Sequence, residues 1–169
     1  MNDTIVNALN DQMRKEFQAA FLYLAFSVDL KEYGLYGAAH WMREQYREEC
    51  NHAFKILNYL EDRDAKVHVP SIQAPEYQWS NPVELFEQAL QHEEGITASI
   101  HALVKLSRQE DDPATELMLQ YFVNEQVEEE GSVRSILQEL RLCGGHIGAI
   151  MGVDARLGKR PEVQNSDWA

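Results

Sequence analysis

The chain has 169 residues, of which 44% are apolar and 25% charged, a composition typical of one globular domain with a sizeable core. Its net charge of −13 opposes binding to nucleic acid or anionic lipid, and no apolar run approaches the length that crosses a membrane. The acidity itself has two readings that charge alone cannot separate, attraction of metal cations and simple solubility.

The first two helices are predicted from apolar stripes with helical spacing. The first runs from about Asp3 to Tyr33, where Gly34 is a stop signal, and the second ends near Arg63. The stripe of the first helix contains Leu9, Met13, Glu16, Ala20, Tyr23, Ser27 and Leu30. The stripe of the second contains Met42, Gln45, Glu49, His52, Ile56 and Tyr59.

The third and fourth helices carry clear end signals. Asn81 is a predicted N-cap, with Pro82 at the first helical position and Glu84 reaching back. Asp112-Pro113 opens the fourth helix and Gly144-Gly145 closes it. Their stripes contain Phe86, Leu90, Glu93, Thr97, Ile100 and Val104, and then Leu119, Phe122, Gln126, Glu129, Val133, Ile136 and Leu140.

Loop lengths predict the topology. Short connections around Gly34 and at 110–112 make helices one and two, and helices three and four, antiparallel neighbours. About sixteen residues between Asp64 and Ser80 reach roughly 50 Å when extended, more than the roughly 42 Å length of a 28-residue helix. This connection can therefore cross the bundle and make helices two and three parallel. The predicted fold is an all-α four-helix bundle with one long crossover.

A short fifth helix is predicted from His146 to Leu157, so that residues 1–157 form one domain. Its apolar side packs either against another chain or back on its own bundle. The polar tail over 158–169 is expected to be loose.

The first residues, Met1-Asn2-Asp3, lack a basic stretch followed by an apolar core, so no secretory signal is expected. The two cysteines, Cys50 and Cys143, form no CxxC pair, which fits a reducing, cytoplasmic compartment.

Each of the four long stripes carries an acid near the middle of its helix. Taken singly, such an acid is explained by a wrong helical phase, a position at the helix edge or one half of an ion pair. Together the four would share one layer of the core, and none has a Lys or Arg three or four residues away on its own stripe. Because grouped buried charges are costly without a counter-charge, the combination predicts bound metal. The acids are Glu16, Glu49, Glu93 and Glu129.

His52 follows Glu49 by one helical turn, so one metal can bind both. Four carboxylates balance two divalent cations. Oxygen-rich ligation with one imidazole argues against structural zinc and suits iron or manganese. The other histidines lack such a partner on a core stripe and are expected at the surface or in packing contacts. They are His40, His68, His92, His101 and His146.

These motifs also resemble a known family. They are Glu16 with Tyr23 seven residues later, Glu48-Glu49-x-x-His52, Glu93, and Glu125-Gln126-x-Glu128-Glu129. In this combination, over roughly residues 5–157, the chain resembles the bacterial non-haem ferritins, which have a ferritin-like four-helix bundle.

The resemblance implies two iron ions with Glu49 as their bridge. Glu16, Glu49 and His52 would hold the first iron. Glu93 and Glu129 would complete the second site.

Two further side chains would lie beside the iron pair. Tyr23 would be a phenol able to supply an electron, or else an ordinary amphipathic core aromatic. Gln126 would be a polar neighbour of the pair. The haem-containing relatives, the bacterioferritins, carry Glu-x-x-His on helix four as well, where this chain has Gln126-x-x-Glu129, so the second iron would have only carboxylate ligands. We therefore expect iron to be a passing substrate. Bacterioferritins also place a haem-binding Met after the helix-two Glu. Here Cys50 stands at that position, and no haem is expected.

Adjacent acids suggest a third, weaker iron site that shares Glu129 and faces a storage cavity. The alternative is a solvated acidic face. The residues in question are Glu48, Glu125 and Glu128.

The implied function is oxidation of Fe(II) by dioxygen or hydrogen peroxide at a di-iron ferroxidase centre, with ferric mineral stored in a homo-oligomeric shell of twenty-four subunits. The fifth helix would line the fourfold pores. Two alternatives are a peroxide-scavenging di-iron protein of the rubrerythrin kind, whose CxxC pairs this chain lacks, and a structural or signalling bundle without metal.

Overall fold

The structure, a computed structural model, describes residues 1–165, and within them it contains five helices and no strand. The helices are α1 (Asp3–Tyr33), α2 (Tyr36–Asp62), α3 (Pro82–Gln109), α4 (Pro113–Leu142) and α5 (Ile147–Leu157). The predicted all-α four-helix bundle with a short fifth helix is confirmed. No helix in this part of the chain is both long and apolar enough to span a bilayer.

The predicted end signals act as expected. Gly34 adopts a left-handed φ of +98°, and its N–H bonds to carbonyls in the last turn of α1. The Asn81 side chain accepts from Glu84 N at 3.2 Å, while the Glu84 carboxylate accepts from Ser80 N at 2.8 Å. Asp112 caps α4 by accepting from Thr115 N at 3.1 Å. Because these caps satisfy otherwise unpaired N–H groups, they fix where α3 and α4 begin.

The crossover lies along α1 and is fixed to it at two points. Asn10 donates to the carbonyl of Lys66 at 2.9 Å, near the start of the crossover. Asp29 accepts from Tyr77 OH at 2.9 Å and from Trp79 Nε1 at 3.0 Å, near its end. Asn10 and Asp29 lie about 28 Å apart along the helix at about 1.5 Å per residue. The crossover therefore runs most of the length of the bundle, which makes α2 and α3 parallel.

The core consists of two apolar clusters with a polar layer between them. One cluster, towards the Gly34 turn, is built around residues such as Tyr23, Phe26 and Phe86. The other, towards the opposite end, is built around residues such as Leu9 and Phe122. The packing of both clusters holds the four helices together on either side of the polar layer.

Helix α5 folds back on its own bundle. Asp154 accepts from the N–H of Ala38 at 2.8 Å, and Leu157 is buried in the first cluster. The Cα of Gly37 lies so close to α5 that a Cβ there would stand 1.8 Å from the Asp154 carbonyl oxygen. Ile147 and Met151 remain exposed on the other side of α5. The sequence allowed α5 to pack either against another chain or back on its own bundle. In the structure, one side of α5 packs on its own bundle, and the other side is uncovered.

The segment after α5 lies against α2. Val163 N donates to Glu44 at 2.8 Å, and Asn51 donates to the carbonyl of Gln164 at 2.8 Å. The Arg160 guanidinium stacks over Trp41 at 4.7 Å from the ring centroid. The tail expected over 158–169 therefore has several contacts up to Gln164, and its last four residues lie outside the described part of the chain.

The close approach of α2 and α5 generates a stability prediction. Gly37→Ala should lower the thermal unfolding temperature by several degrees, because overpacking a tight contact costs about 1–3 kcal/mol. Gly131→Ala is the control, since a Cβ at this exposed helical glycine meets nothing within 4 Å. Alanine there should stabilise the protein by roughly 0.5–1 kcal/mol. Circular dichroism on heating measures both variants, and equal unfolding temperatures would contradict the prediction.

Candidate metal centre

The four predicted acids meet in the polar layer between the two apolar clusters. Glu16 comes from α1, Glu49 from α2, Glu93 from α3 and Glu129 from α4. All four are buried, with Glu129 the most exposed at 6%. His52 joins them from α2 at 2% exposure. The stripes therefore bring together every side chain that the sequence predicted for a two-metal site.

These side chains form two overlapping groups of three. The first contains Glu16, Glu49 and His52, and the second contains Glu49, Glu93 and Glu129. In each group, one ligand atom per residue lies within 4.8 Å of the others. Glu49 belongs to both groups, so the two potential metal positions would be adjacent and would share one carboxylate.

Many of the polar atoms here have no hydrogen-bond partner within the described residues. They include Glu16 Oε2, Glu49 Oε1, both oxygens of Glu129, and His52 Nδ1. His52 Nδ1 lies 3.5 Å from Glu49 Oε2 and 3.7 Å from Glu129 Oε1. Since buried polar atoms are normally paired, this concentration of unpaired polar atoms, most of them carboxylate oxygens, fits a site that cations fill. Carboxylate oxygens with one imidazole suit iron or manganese.

The electrostatics of the polar layer oppose the charged forms of its acids. Burial, and then the Glu93 and Glu16 carboxylates, hold the pKa of Glu49 well above its usual value. Burial and Glu49 do the same for the pKa of Glu129. Burial lowers the pKa of His52, but the carboxylates of Glu129 and Glu16 outweigh it and raise that pKa. Without a metal, therefore, the folded protein favours protons on these groups.

Polar side chains hold two of the acids in place. Tyr23 OH donates to Glu93 Oε1, and Gln126 Nε2 donates to Glu93 Oε2 at 3.2 Å. Burial and the Glu93 charge hold the pKa of Tyr23 well above its usual value, so the phenol keeps its proton. Gln12 Nε2 donates to Glu16 Oε1 at 2.8 Å.

Sequence reasoning missed Gln12 and Thr97, whose hydroxyl lies 3.3 Å from Gln126 Nε2. The spacing of Gln12, four residues before Glu16, placed it on the same face of α1 and could have indicated this contact. Thr97 was already on the predicted stripe of α3, but no role at the site was assigned to it. Gln126 and Tyr23 both contact Glu93, and their place beside an iron pair remains a prediction.

The three acids suggested as a third site are arranged differently. Glu48 forms an ion pair with Arg160, and Glu125 Oε2 lies 4.0 Å from His52 Nε2. Glu128 and Glu48 both line a cavity beside Arg160. Across the described residues, only the two groups above bring three potential ligand atoms within 4.8 Å of one another. The third site remains a prediction.

The chain is similar to known proteins over nearly its whole length. A family model described as the ferritin-like domain matches residues 6–143. A bacterial non-heme ferritin of Bacteroides fragilis is 34% identical, with 95% of this chain and 99% of the relative covered. One from Campylobacter jejuni is 36% identical, covering 86% and 87%. An open-pore ferritin from Archaeoglobus fulgidus superimposes with a TM-score of 0.94 at 37% identity, covering 95% of this chain and 99% of the other.

The buried acids predict how the stability of the metal-free protein depends on pH. Burial raises the pKa of Glu93 from 4.5 to about 7, against hydrogen bonds from Tyr23 and Gln126. A carboxyl with a higher pKa in the folded state stabilises the fold most below its unfolded pKa, and this stability is lost as pH rises through about 7. For Glu93 alone the total loss is about 3 kcal/mol, of which roughly 1 kcal/mol falls between pH 6 and pH 8. With a chelator present, the protein should unfold at a lower temperature at pH 8 than at pH 6.

Glu129→Gln should reduce the difference between the unfolding temperatures at pH 6 and pH 8. The substitution removes one of the mutually repelling charges while keeping the shape of the side chain. Glu94→Gln, at an exposed acid of α3, is the control and should leave the difference unchanged. Equal unfolding temperatures for the wild type at pH 6 and pH 8 would contradict the prediction.

Proposed function

Because this chain belongs to the ferritin family, we propose that it is an iron-storage protein that oxidises Fe(II) at the buried carboxylate centre and stores the ferric product. The observation that carries this proposal is the pair of buried ligand groups that share Glu49. Two cations held by such groups would stand side by side and be bridged by one carboxylate.

Each ligand has a role in the proposal. Glu16, Glu49 and His52 hold the first Fe(II), with neutral imidazole as the single nitrogen ligand. Glu93 and Glu129 complete the second site. The unpaired oxygens of Glu16, Glu49 and Glu129 support these roles, because they are free to bind a cation without breaking an existing hydrogen bond.

The chemistry needs two electrons delivered together. Two Fe(II) ions each lose one electron, and dioxygen with two protons becomes hydrogen peroxide. With hydrogen peroxide as oxidant, two protons and the same two electrons give two water molecules. The protein contributes by holding both ions within reach of one oxidant molecule, in a layer enclosed by apolar clusters at both ends.

Tyr23 and Gln126 distinguish the second site from the first. Both donate to Glu93, so an ion that binds Glu93 must compete with two hydrogen bonds. Helix α4 contributes Gln126 and the Glu129 carboxylate here but no imidazole, which leaves this ion with carboxylate ligands alone. We therefore propose that the second iron is held more weakly and passes on after oxidation, with Tyr23 as a neighbouring phenol able to supply an electron.

Storage of ferric iron needs a route away from the oxidation site and an enclosed cavity. We propose that Glu125, Glu128 and Glu48 form a weaker third site on the way to a cavity enclosed by twenty-four copies of the chain. The exposed Ile147 and Met151 of α5 support contact with other copies, since the bundle itself leaves them uncovered.

The two free cysteines, Cys50 and Cys143, are consistent with a cytoplasmic location.

Oxidation of Fe(II) in air tests the proposed centre. Ferric absorbance should rise rapidly with the wild type. Glu49→Ala should slow the initial rate by more than the roughly 10–100-fold that loss of an outer partner of a metal ligand costs, because Glu49 serves both ions. Glu44→Ala is the matched control, since Glu44 is equally buried on α2 but accepts from Arg47 and from Val163 N. Equal rates for the two variants would refute the assignment.

Anaerobic titration with Fe(II) counts the sites. The wild type should bind two ions per chain at the centre, and Glu129→Ala should bind one, because Glu129 belongs to the second group only. Two irons retained through repeated cycles of oxidation would contradict the passage of iron through the second site.

Particle size tests the shell. Twenty-four chains of 19.5 kDa give about 470 kDa, well separated from a monomer on gel filtration. Replacing Ile147 and Met151 by serine should shift the wild-type peak to smaller species, because it removes exposed apolar surface from α5 without touching its buried side. A wild-type peak at the monomer position would refute the cage.

A further inference from the structure

A chain of three polar side chains leads from the surface of the bundle to Glu16. Lys15 Nζ donates to Ser99 Oγ at 2.7 Å, and Ser99 Oγ donates to Gln12 Oε1 at 2.5 Å. Gln12 Nε2 then donates to Glu16 Oε1 at 2.8 Å. Lys15 and Gln12 come from α1 and Ser99 from α3, so the chain crosses between two helices.

Lys15, at the outer end of this hydrogen-bonded series, fixes the direction of every hydrogen bond in it. The Lys15 ammonium can only donate, so Ser99 Oγ must accept from it. The single proton of the Ser99 hydroxyl is then directed to the oxygen of the Gln12 amide. The amide nitrogen of Gln12 must therefore face Glu16. An isolated glutamine could turn its amide either way, but this one is held with its donor towards the carboxylate.

In this arrangement the two oxygens of the Glu16 carboxylate differ in their hydrogen bonding. Oε1 is held by Gln12, while Oε2 has no hydrogen-bond partner in the described part of the chain. Gln12 is only 1% exposed, so water does not readily replace it as a donor. One oxygen of Glu16 is thus left free within the group that also contains Glu49 and His52.

We propose that Gln12, Ser99 and Lys15 are positioning residues that make Glu16 a one-oxygen ligand of the first iron. This inference rests on the proposed function of the centre. Hydrogen bonds to metal-binding side chains orient them, and losing such a partner typically lowers metal affinity about 10–100-fold. A purely structural role for the same residues would affect the stability of the fold without changing metal geometry.

The test uses Co(II) as a probe that air does not oxidise, titrated into the intact metal-free protein. Ser99→Ala removes the hydroxyl that orients Gln12. It should weaken Co(II) binding at the first site about tenfold and change the visible absorption of the bound ion, because the ligand geometry changes. Ser99→Thr keeps the hydroxyl and should restore both the affinity and the spectrum. In Fe(II) oxidation, Ser99→Ala should raise the Fe(II) concentration for half-maximal rate more than it lowers the rate at saturation.

Ser107→Ala is the matched control. Ser107 is a buried serine on the same helix, and its hydroxyl donates to the carbonyl of Val104. This variant reports the general cost of deleting a hydroxyl from α3, and its Co(II) affinity and spectrum should equal those of the wild type.

The outcomes separate this inference from the proposed function. If the wild type binds no Co(II) and oxidises no Fe(II), the proposed function fails. If the wild type does both and Ser99→Ala keeps the wild-type affinity and spectrum, the positioning role alone is refuted. Should Ser99→Ala fail to fold, Lys15→Met decides, because Lys15 is the partly exposed end of the hydrogen-bonded series and its other partner, Asp11, is an exposed acid on the same helix. That variant should weaken Co(II) binding about two- to threefold, and an unchanged affinity would overturn the inference.

Discussion

The structure depends on keeping four carboxylates and one imidazole together in the interior of a bundle. Removing a carboxylate from water costs several kcal/mol, and like charges placed side by side add to that cost. Apolar clusters on both sides of the polar layer offset the cost through the burial of their own surface. The fold therefore holds a cluster of charge that the acids alone would disperse, and cations are the natural means of neutralising it.

Hydrogen bonding makes the centre asymmetric. Both oxygens of Glu93 accept from neighbouring side chains, one oxygen of Glu16 does, and neither oxygen of Glu129 does. Moreover, the donors to Glu93 come from α1 and α4 rather than from its own helix. The second ligand group thus contains both the most and the least hydrogen-bonded carboxylate of the centre, whereas Glu16 of the first group has one oxygen bonded and one unpaired.

The sequence predicted most of the fold and the residues facing the interior, because both follow from helical periodicity. Four acids interrupt the apolar stripes, and this interruption can be read directly from the sequence. They are Glu16, Glu49, Glu93 and Glu129. The partners of these acids were harder to predict. Ser99 meets Gln12 only because the crossover sets the register of α3 against α1, and no spacing within either helix encodes that register.

The contacts of the chain's last described residues were missed for a similar reason. The polar composition after Gly158 indicated a loose segment. In the structure, however, the Arg160 guanidinium stacks on the ring of Trp41 and forms an ion pair with the carboxylate of Glu48. Such contacts depend on where α5 ends, and this in turn depends on the bare backbone of Gly37. Local composition carries no information about so distant a cause.

The ligands are divided between two hairpins. Glu16 and Glu49 belong to the α1–α2 hairpin, while Glu93 and Glu129 belong to the α3–α4 hairpin, and the second ligand group includes residues from both. A cation bound by the second group would therefore link the two hairpins and offset the repulsion between their ionised carboxylates. By thermodynamic linkage, every increment of metal occupancy is also an increment of resistance to unfolding. The metal-free form would therefore open more often than the metal-bound form and be the more susceptible of the two to proteolysis.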